Sequence, residues 1–163
     1  MHNKADYIIQ KLGLQKHPEG GYFKETYRSN KNVFVEDLDG KRNFSTCIYF
    51  LITNEAYSAF HKVSQDEIWH FYEGSCIHLH LISPDGTFRM QKIGNAWNAG
   101  ELPQFVVPAQ TWFAAEVIQT KAYALVGCTV SPGFDFKDFQ LADKKQLLEE
   151  YPEHEQIIDR LTR

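Results

Sequence analysis

The side chains best able to do chemistry are concentrated between Tyr57 and Gly74, in the run YSAFHKVSQDEIWHFYEG. Extended backbone places alternate side chains on one face. His61 then shares a face with Tyr57, Ala59 and Val63, and Glu67 shares one with Trp69 and Phe71. If both faces line one cavity, His61 and Glu67 meet there beside Trp69. A histidine near its ordinary pKa, oriented or charged by a carboxylate, is a usable general base. The same pair could instead be a buried, hydrogen-bonded couple without turnover. A buried carboxylate without a partner is costly, so a wet pocket explains the pair more easily. His70 has the opposite parity to Glu67 and is expected to point away unless a bulge intervenes. His78 and His80 share a face at a spacing a metal could use, but the favoured reading is the solvated side of a sheet. Trp69 and Phe113 could stack on a ring-shaped ligand or simply fill a core. Lys24 and Arg28 read as surface charges along one strand, and His154 as surface.

The elements that must position these residues are mainly strands. Ala5, Ile8, Ile9 and Leu12 recur at helical spacing before Gly13, so a short amphipathic helix opens the chain. From there to Pro132, apolar runs alternate with turn signals. HPEGG at 17–21 reads as a turn into a strand over Tyr22–Arg28, and Asp39-Gly40 as a hairpin or loop. The continuous apolar run Cys47–Ile52 suggests a strand buried on both faces. Many short strands without helices between them mean an antiparallel sandwich or barrel. The tail reads as two charged helices, Leu141–Glu150 and Pro152–Leu161, capping the β-domain with Leu147, Leu148, Ile157, Ile158 and Leu161. No repeat or linker divides the 163 residues, so 1–163 reads as a single domain.

Composition removes several function classes. With 17 Lys+Arg against 21 Asp+Glu the net charge is -4, which lacks the basic footprint of a nucleic-acid partner. The stretch Met1–Leu14 has no signal-peptide core, and the run Cys47–Ile52 is too short to span a bilayer. Cys47, Cys76 and Cys128 form no CxxC motif. These features give the expectation of a reduced, cytoplasmic protein without a membrane partner.

His61, Glu67 and Gly74 also keep the spacing of the first cupin motif, G-x5-H-x-H-x3-4-E-x6-G, with Val63 in place of the second histidine. Pro108 opens a match to the second motif, P-x-G-x2-H, with Gln110 for glycine and Phe113 for histidine. HPEGGYFKETYRS, STCIYFLI, DEIWHFYEG, VPAQTW, SPGFDFKDFQLAD and YPEH together resemble the Cupin_5 family of small cupins. That resemblance implies an all-β fold, the cupin double-stranded β-helix or jelly-roll barrel, of about ten strands with a short N-terminal helix and C-terminal helices outside. It also implies a homodimer, with no assigned reaction. Val63 and Phe113 cannot coordinate a metal, so the expectation is a metal-free pocket without a cofactor. A metal-dependent enzyme would need ligands from outside the two motifs.

A shorter resemblance, through Gly21, Phe23 and Glu25 with Gly20 in place of arginine, is to the metal-free cupins that epimerise dTDP-linked keto-deoxy sugars. It implies His61 as the base acting next to a carbonyl; Glu67, placed beside it by the strand reading, is the expected orienting partner. Phe23, Glu25, Trp69, Gln110 and Phe113 are the expected substrate contacts. The expected function is binding of a small molecule, a sugar or nucleotide derivative, with epimerase or isomerase chemistry. The alternatives are a non-catalytic binding or sensing module and a metal-dependent cupin enzyme.

Overall fold

Alternation along the strands leaves each with an apolar face that must be covered, and two sheets cover one another. A computed structural model describes residues 3–163; Met1 and His2 of the stretch read above lie outside the described residues. In chain order the strands are β1 (Gln15–Lys16), β2 (Tyr22–Arg28), β3 (Asn32–Phe34), β4 (Lys41–Asn43), β5 (Thr46–Thr53), β6 (Ser58–Val63) and β7 (Glu67–Gly74). They continue as β8 (Ile77–Ile82), β9 (Phe88–Ile93), β10 (Glu101–Leu102), β11 (Gln104–Val107), β12 (Trp112–Glu116), β13 (Tyr123–Val130) and β14 (Phe139–Leu141). The helices are α1 (Lys4–Leu12), α2 (Lys144–Glu150) and α3 (Glu155–Leu161).

One sheet runs β1-β2-β5-β13-β7-β11 and the other β10-β9-β8-β12-β6-β14, with β3 and β4 forming a separate hairpin. Inward side chains, among them Phe50, Trp69, Leu79, Phe113 and Val126, make the core of this jelly roll. Of the run Cys47–Ile52, expected to be buried on both faces, Phe50–Ile52 are buried, while Cys47, Ile48 and Tyr49 are half-buried. Phe50 and Ile52 face the core, and Leu51 lies beneath Ala5 and Ile8 of α1. That helix is capped by the Asn3 side chain, which accepts from the Ala5 N–H at 2.9 Å, and it stops at Gly13 in the left-handed region.

The C-terminal layer covers the other sheet. Leu147, Tyr151, Ile158 and Leu161 pack on Phe60, Ile82, Trp112 and Ala114. Its boundaries differ from the expected ones. Leu141 ends β14, where it pairs with His61, and α2 starts only after Asp143, whose carboxylate accepts from the Gln146 N–H. Pro152 opens a single 3-10 turn before α3, because Tyr151 leaves the helical region. This layer also corrects the reading of His80. The residue is buried and its Nε2 lies 2.9 Å from Glu116, which also pairs with Arg160 of α3. His70 does point to the outer face, where it meets Thr129 and Gln104.

The β3–β4 hairpin has a structural task. Arg42 on β4 is buried and forms a two-pronged pair with Asp138, both contacts at 2.6 Å, while Gln65 adds a third bond to the same carboxylate at 2.7 Å. The segment 134–139 is thereby clamped over one end of the sandwich.

Candidate functional site

That end contains a cavity of about 280 Å³, near the low limit of the roughly 300–1,000 Å³ typical of small-molecule sites. Its walls include Phe23, Phe50, Val63, Phe134, Phe136 and Phe139, and its polar side chains include His17, Glu19, His61 and Glu67. His61 comes from one sheet and Glu67 from the other, on either side of the short turn joining β6 to β7.

The HPEGG turn delivers the residues the sequence reading missed. Gly20 has φ +110°, and a Cβ there would lie 2.1 Å from the Tyr57 carbonyl oxygen. Only glycine lets the turn approach β6 so closely. The Ala59 N–H then donates to the Glu19 carbonyl at 2.8 Å, and the Glu19 side chain is carried inside. Pairing between β6 and β12 sets His61 opposite Phe113 and Ser58 opposite Ala115, so β6 holds one extra residue. This bulge brings Ser58 and His61, which regular alternation would separate, onto the same carboxyl group. Ser58 Oγ donates to Glu19 Oε1 at 2.7 Å, and His61 Nε2 lies 3.2 Å from Glu19 Oε2. His61 Nδ1 sits 2.7 Å from the Ala59 carbonyl, which can only accept, so Nδ1 carries the proton and the Nε2 lone pair faces Glu19. On His17 the Glu19 N–H donates to Nδ1 at 3.3 Å.

Glu19 therefore occupies the place expected of Glu67. Among the described residues no hydrogen bond of ordinary length and angle reaches the Glu67 carboxyl, although it is only 8% exposed. Phe23 and Glu25 line the cavity. Trp69, Gln110 and Phe113 do not. Trp69 is sealed in the core against Phe50 and Phe113, with its indole Nε1 lacking a partner. Phe113 lies behind His61, ring centres 4.0 Å apart. Gln110 is exposed and takes φ 63° in the turn before β12, so it keeps the backbone role of the motif's glycine and not a ligand contact. Arg28 is no bystander on a strand face. It lines the mouth, tied to both Glu25 oxygens at 2.7 and 2.9 Å and to Asn43 and the Phe134 carbonyl.

Burial governs the protonation of this site. It lowers His61 to about 3 and His17 to about 4, the bond to Ala59 only partly opposing it at His61. It raises Glu67 to about 7, opposed by the Cys128 thiol and the Trp69 indole, which approach the carboxyl. Glu19 is pushed well above the usual carboxyl value by burial and by the nearby Glu67.

A prediction follows for stability. Between the ordinary carboxyl and imidazole values of 4.5 and 6.5, the unfolded chain holds protons on His17 and His61. In the folded chain both imidazoles are neutral there, while Glu67, held near 7, keeps a proton that the unfolded carboxyl gives up. Glu67 by itself therefore makes stability fall as pH rises through the window. Glu67→Gln removes that contribution. Stability relative to the wild type should then rise by about 1.4 kcal/mol per pH unit across the window. His61→Gln should show the opposite slope. Urea denaturation at several pH values tests this, and parallel profiles for all three proteins would refute the assignment.

The metal positions of the cupin motifs are not restored from elsewhere. Val63 and Phe113 supply no donor, His61 Nε2 faces Glu19, and His17 Nδ1 accepts from backbone. Among the described residues no three His, Cys, Asp or Glu side chains gather to hold an ion. These side chains do not fit a cupin metal centre. Among the same residues, no helix is long and apolar enough to cross a membrane.

Comparison with known proteins agrees with this architecture. The uncharacterized protein YML079W of Saccharomyces cerevisiae is 35% identical over 144 residues, covering 80% of this chain and 71% of the yeast protein. A hypothetical protein from Leishmania major has a structure matching with TM-score 0.91 at 36% identity, over 97% of this chain and 98% of that one. Protein SO0799 from Shewanella oneidensis matches with TM-score 0.89 at 38% identity, over 100% and 99%. Oxalate decarboxylase from Bacillus subtilis shares the fold alone, with TM-score 0.54 at 16% identity over 90% of this chain and 36% of the enzyme. A family model, Cupin_5, described as cupin superfamily (DUF985), matches residues 6–142. With most of its length matched, the chain belongs to the Cupin_5 family of the cupin superfamily.

Proposed function

We propose that this cupin binds a small carbonyl compound of about monosaccharide size in its cavity and moves a proton on the carbon next to the carbonyl, as an epimerase or isomerase does. The observation that carries this reading is the approach of His61 Nε2 to Glu19 Oε2 at 3.2 Å, with the Nδ1 proton committed to Ala59. When Glu19 is ionised, the Nε2 lone pair is free to accept a proton, and the imidazolium that forms is held by the carboxylate beside it. Phe23, Phe50 and the three phenylalanines of 134–139 give that transfer apolar surroundings. A cavity of about 280 Å³ suits a single sugar-sized unit better than a whole nucleotide-sugar.

A second reading, binding without turnover, is favoured by one observation: burial lowers His61 to about 3, leaving a weak base whenever Glu19 keeps its proton. Aldoses and ketoses incubated with the protein in D2O and followed by ¹H NMR separate the two. Loss of the proton next to the carbonyl, abolished in His61→Ala, is the expected result. Ligand binding without exchange would establish the second reading. If the cavity-filling Val63→Trp left both binding and exchange intact, the cavity would not be the site.

A further inference from the structure

Acidic side chains outnumber basic ones around the cavity. Among the described residues, Glu19, Glu25, Glu67 and Asp135 line it with one cation, Arg28, while Arg163 acts on Glu19 from outside the lining. The Arg28 guanidinium is spent on Glu25, Asn43 and the Phe134 carbonyl. Both Glu19 oxygens are engaged as well, one by Ser58 and the other beside the two imidazoles. Glu67 is different. It faces the cavity and is more than nine-tenths buried, and the only described groups that approach its carboxyl, the Cys128 thiol and the Trp69 indole, do so outside ordinary hydrogen-bond geometry. A carboxyl group left in this condition lacks a partner that something entering the cavity can supply.

The remaining walls point to the same kind of partner. Phe134, Phe136 and Phe139 line the cavity as a mutually packed trio, with centroid separations of 5.1, 6.0 and 6.2 Å. Aromatic rings beside a buried carboxylate attract a positive charge surrounded by apolar groups. An anion would meet four acids and no free cation. A neutral apolar ligand would leave Glu67 unpaired, and a neutral hydroxyl would give it a hydrogen bond but no opposite charge.

We infer that the cavity is selective for an organic ammonium, whose charge pairs with the Glu67 carboxylate while its carbon substituents lie against Phe134, Phe136 and Phe139. This rests on the cavity being the ligand site, and it narrows the ligand to an amine-bearing compound. Burial, which holds Glu67 near 7, is the same desolvation that makes pairing with an ammonium worthwhile. Glu67 is then a specificity residue and not the partner of His61.

Three probes of nearly one shape isolate the charge: choline, its neutral carbon isostere 3,3-dimethyl-1-butanol, and the anion 3,3-dimethylbutanoate. Titration calorimetry of the full chain should show choline binding at least about tenfold more tightly than the alcohol, and the anion not binding. Glu67→Gln should erase the preference of choline over the alcohol. Phe136→Leu, at a side chain 53% exposed, should reduce choline affinity more than alcohol affinity. Equal binding of choline and the alcohol, tightest binding of the anion, or no binding of choline would each overturn the inference. Loss of alcohol binding in Val63→Trp separates the two claims. The cavity would then stand as the ligand site even if its charge selectivity failed.

Discussion

Arg42→Met should destabilise the fold by about 3–5 kcal/mol, a large fraction of what a domain this size has to lose. The guanidinium and the Asp138 carboxylate are 3% and 5% exposed, and each finds its main charged partner in the other. Replacing one leaves a buried charge that Gln65 alone cannot satisfy. Losing an exposed ion pair would cost under about 1 kcal/mol, so the measured value discriminates sharply. Urea denaturation of Arg42→Met gives the number, and a loss below about 1 kcal/mol would show that the pair is not an anchor. The double variant Arg42→Met with Asp138→Leu should recover most of the loss, since no charge is then stranded. The local consequence lies at the site. Phe134, Phe136 and Phe139 sit on the segment that Asp138 holds down, so amide exchange over 134–139 should accelerate in the single variant.

Much of the fold was legible because it depends on period. Ile77, Leu79 and Leu81 alternate with His78 and His80, and the apolar trio does face the core. The alternation could not say what lies beyond the other face. His80 is buried because α3 brings Arg160 to Glu116, a contact between residues 44 apart. The site was only half legible for a related reason. His61 could be picked out because a histidine among apolar strand residues is conspicuous. Glu19 could not, because Pro18-Glu19-Gly20-Gly21 reads first as turn chemistry. Two adjacent glycines beside a histidine and a glutamate were the available signal, since Gly20 marks close backbone approach as well as a turn. The partnership of Ser58 with His61 depended on a bulge, and nothing in SAFHKV announces an extra residue in β6. Gln110 misled in the opposite direction. Its place in the second motif is real, but what the motif needs there is a residue that accepts φ 63°.

Glu19→Gln should cut proton exchange into a carbonyl ligand by about 10²–10⁴-fold, the range a positioned general base contributes. It should leave ligand affinity within a few-fold. The amide can still accept from Ser58 and still approach His61, so the geometry that a purely structural role requires survives. What disappears is the negative charge that would hold a proton arriving on Nε2. Burial, with Glu67 nearby, opposes that charge, which is why Glu19 lies well above its ordinary value. The ionised carboxylate beside neutral His61 is accordingly the competent form, and it becomes more populated as pH rises. Wild-type exchange should climb with pH through the upper titration of the Glu19–His61 pair, a value belonging to the pair and not to either residue. In Glu19→Gln the climb should vanish, leaving a low, flat profile. His61→Ala should be equally slow, and the double variant no slower than either single one, because the two side chains act as one unit. A Glu19→Gln protein that keeps the wild-type rate and pH profile would return His61 to the role of a core histidine, and the cavity to that of a binding site alone.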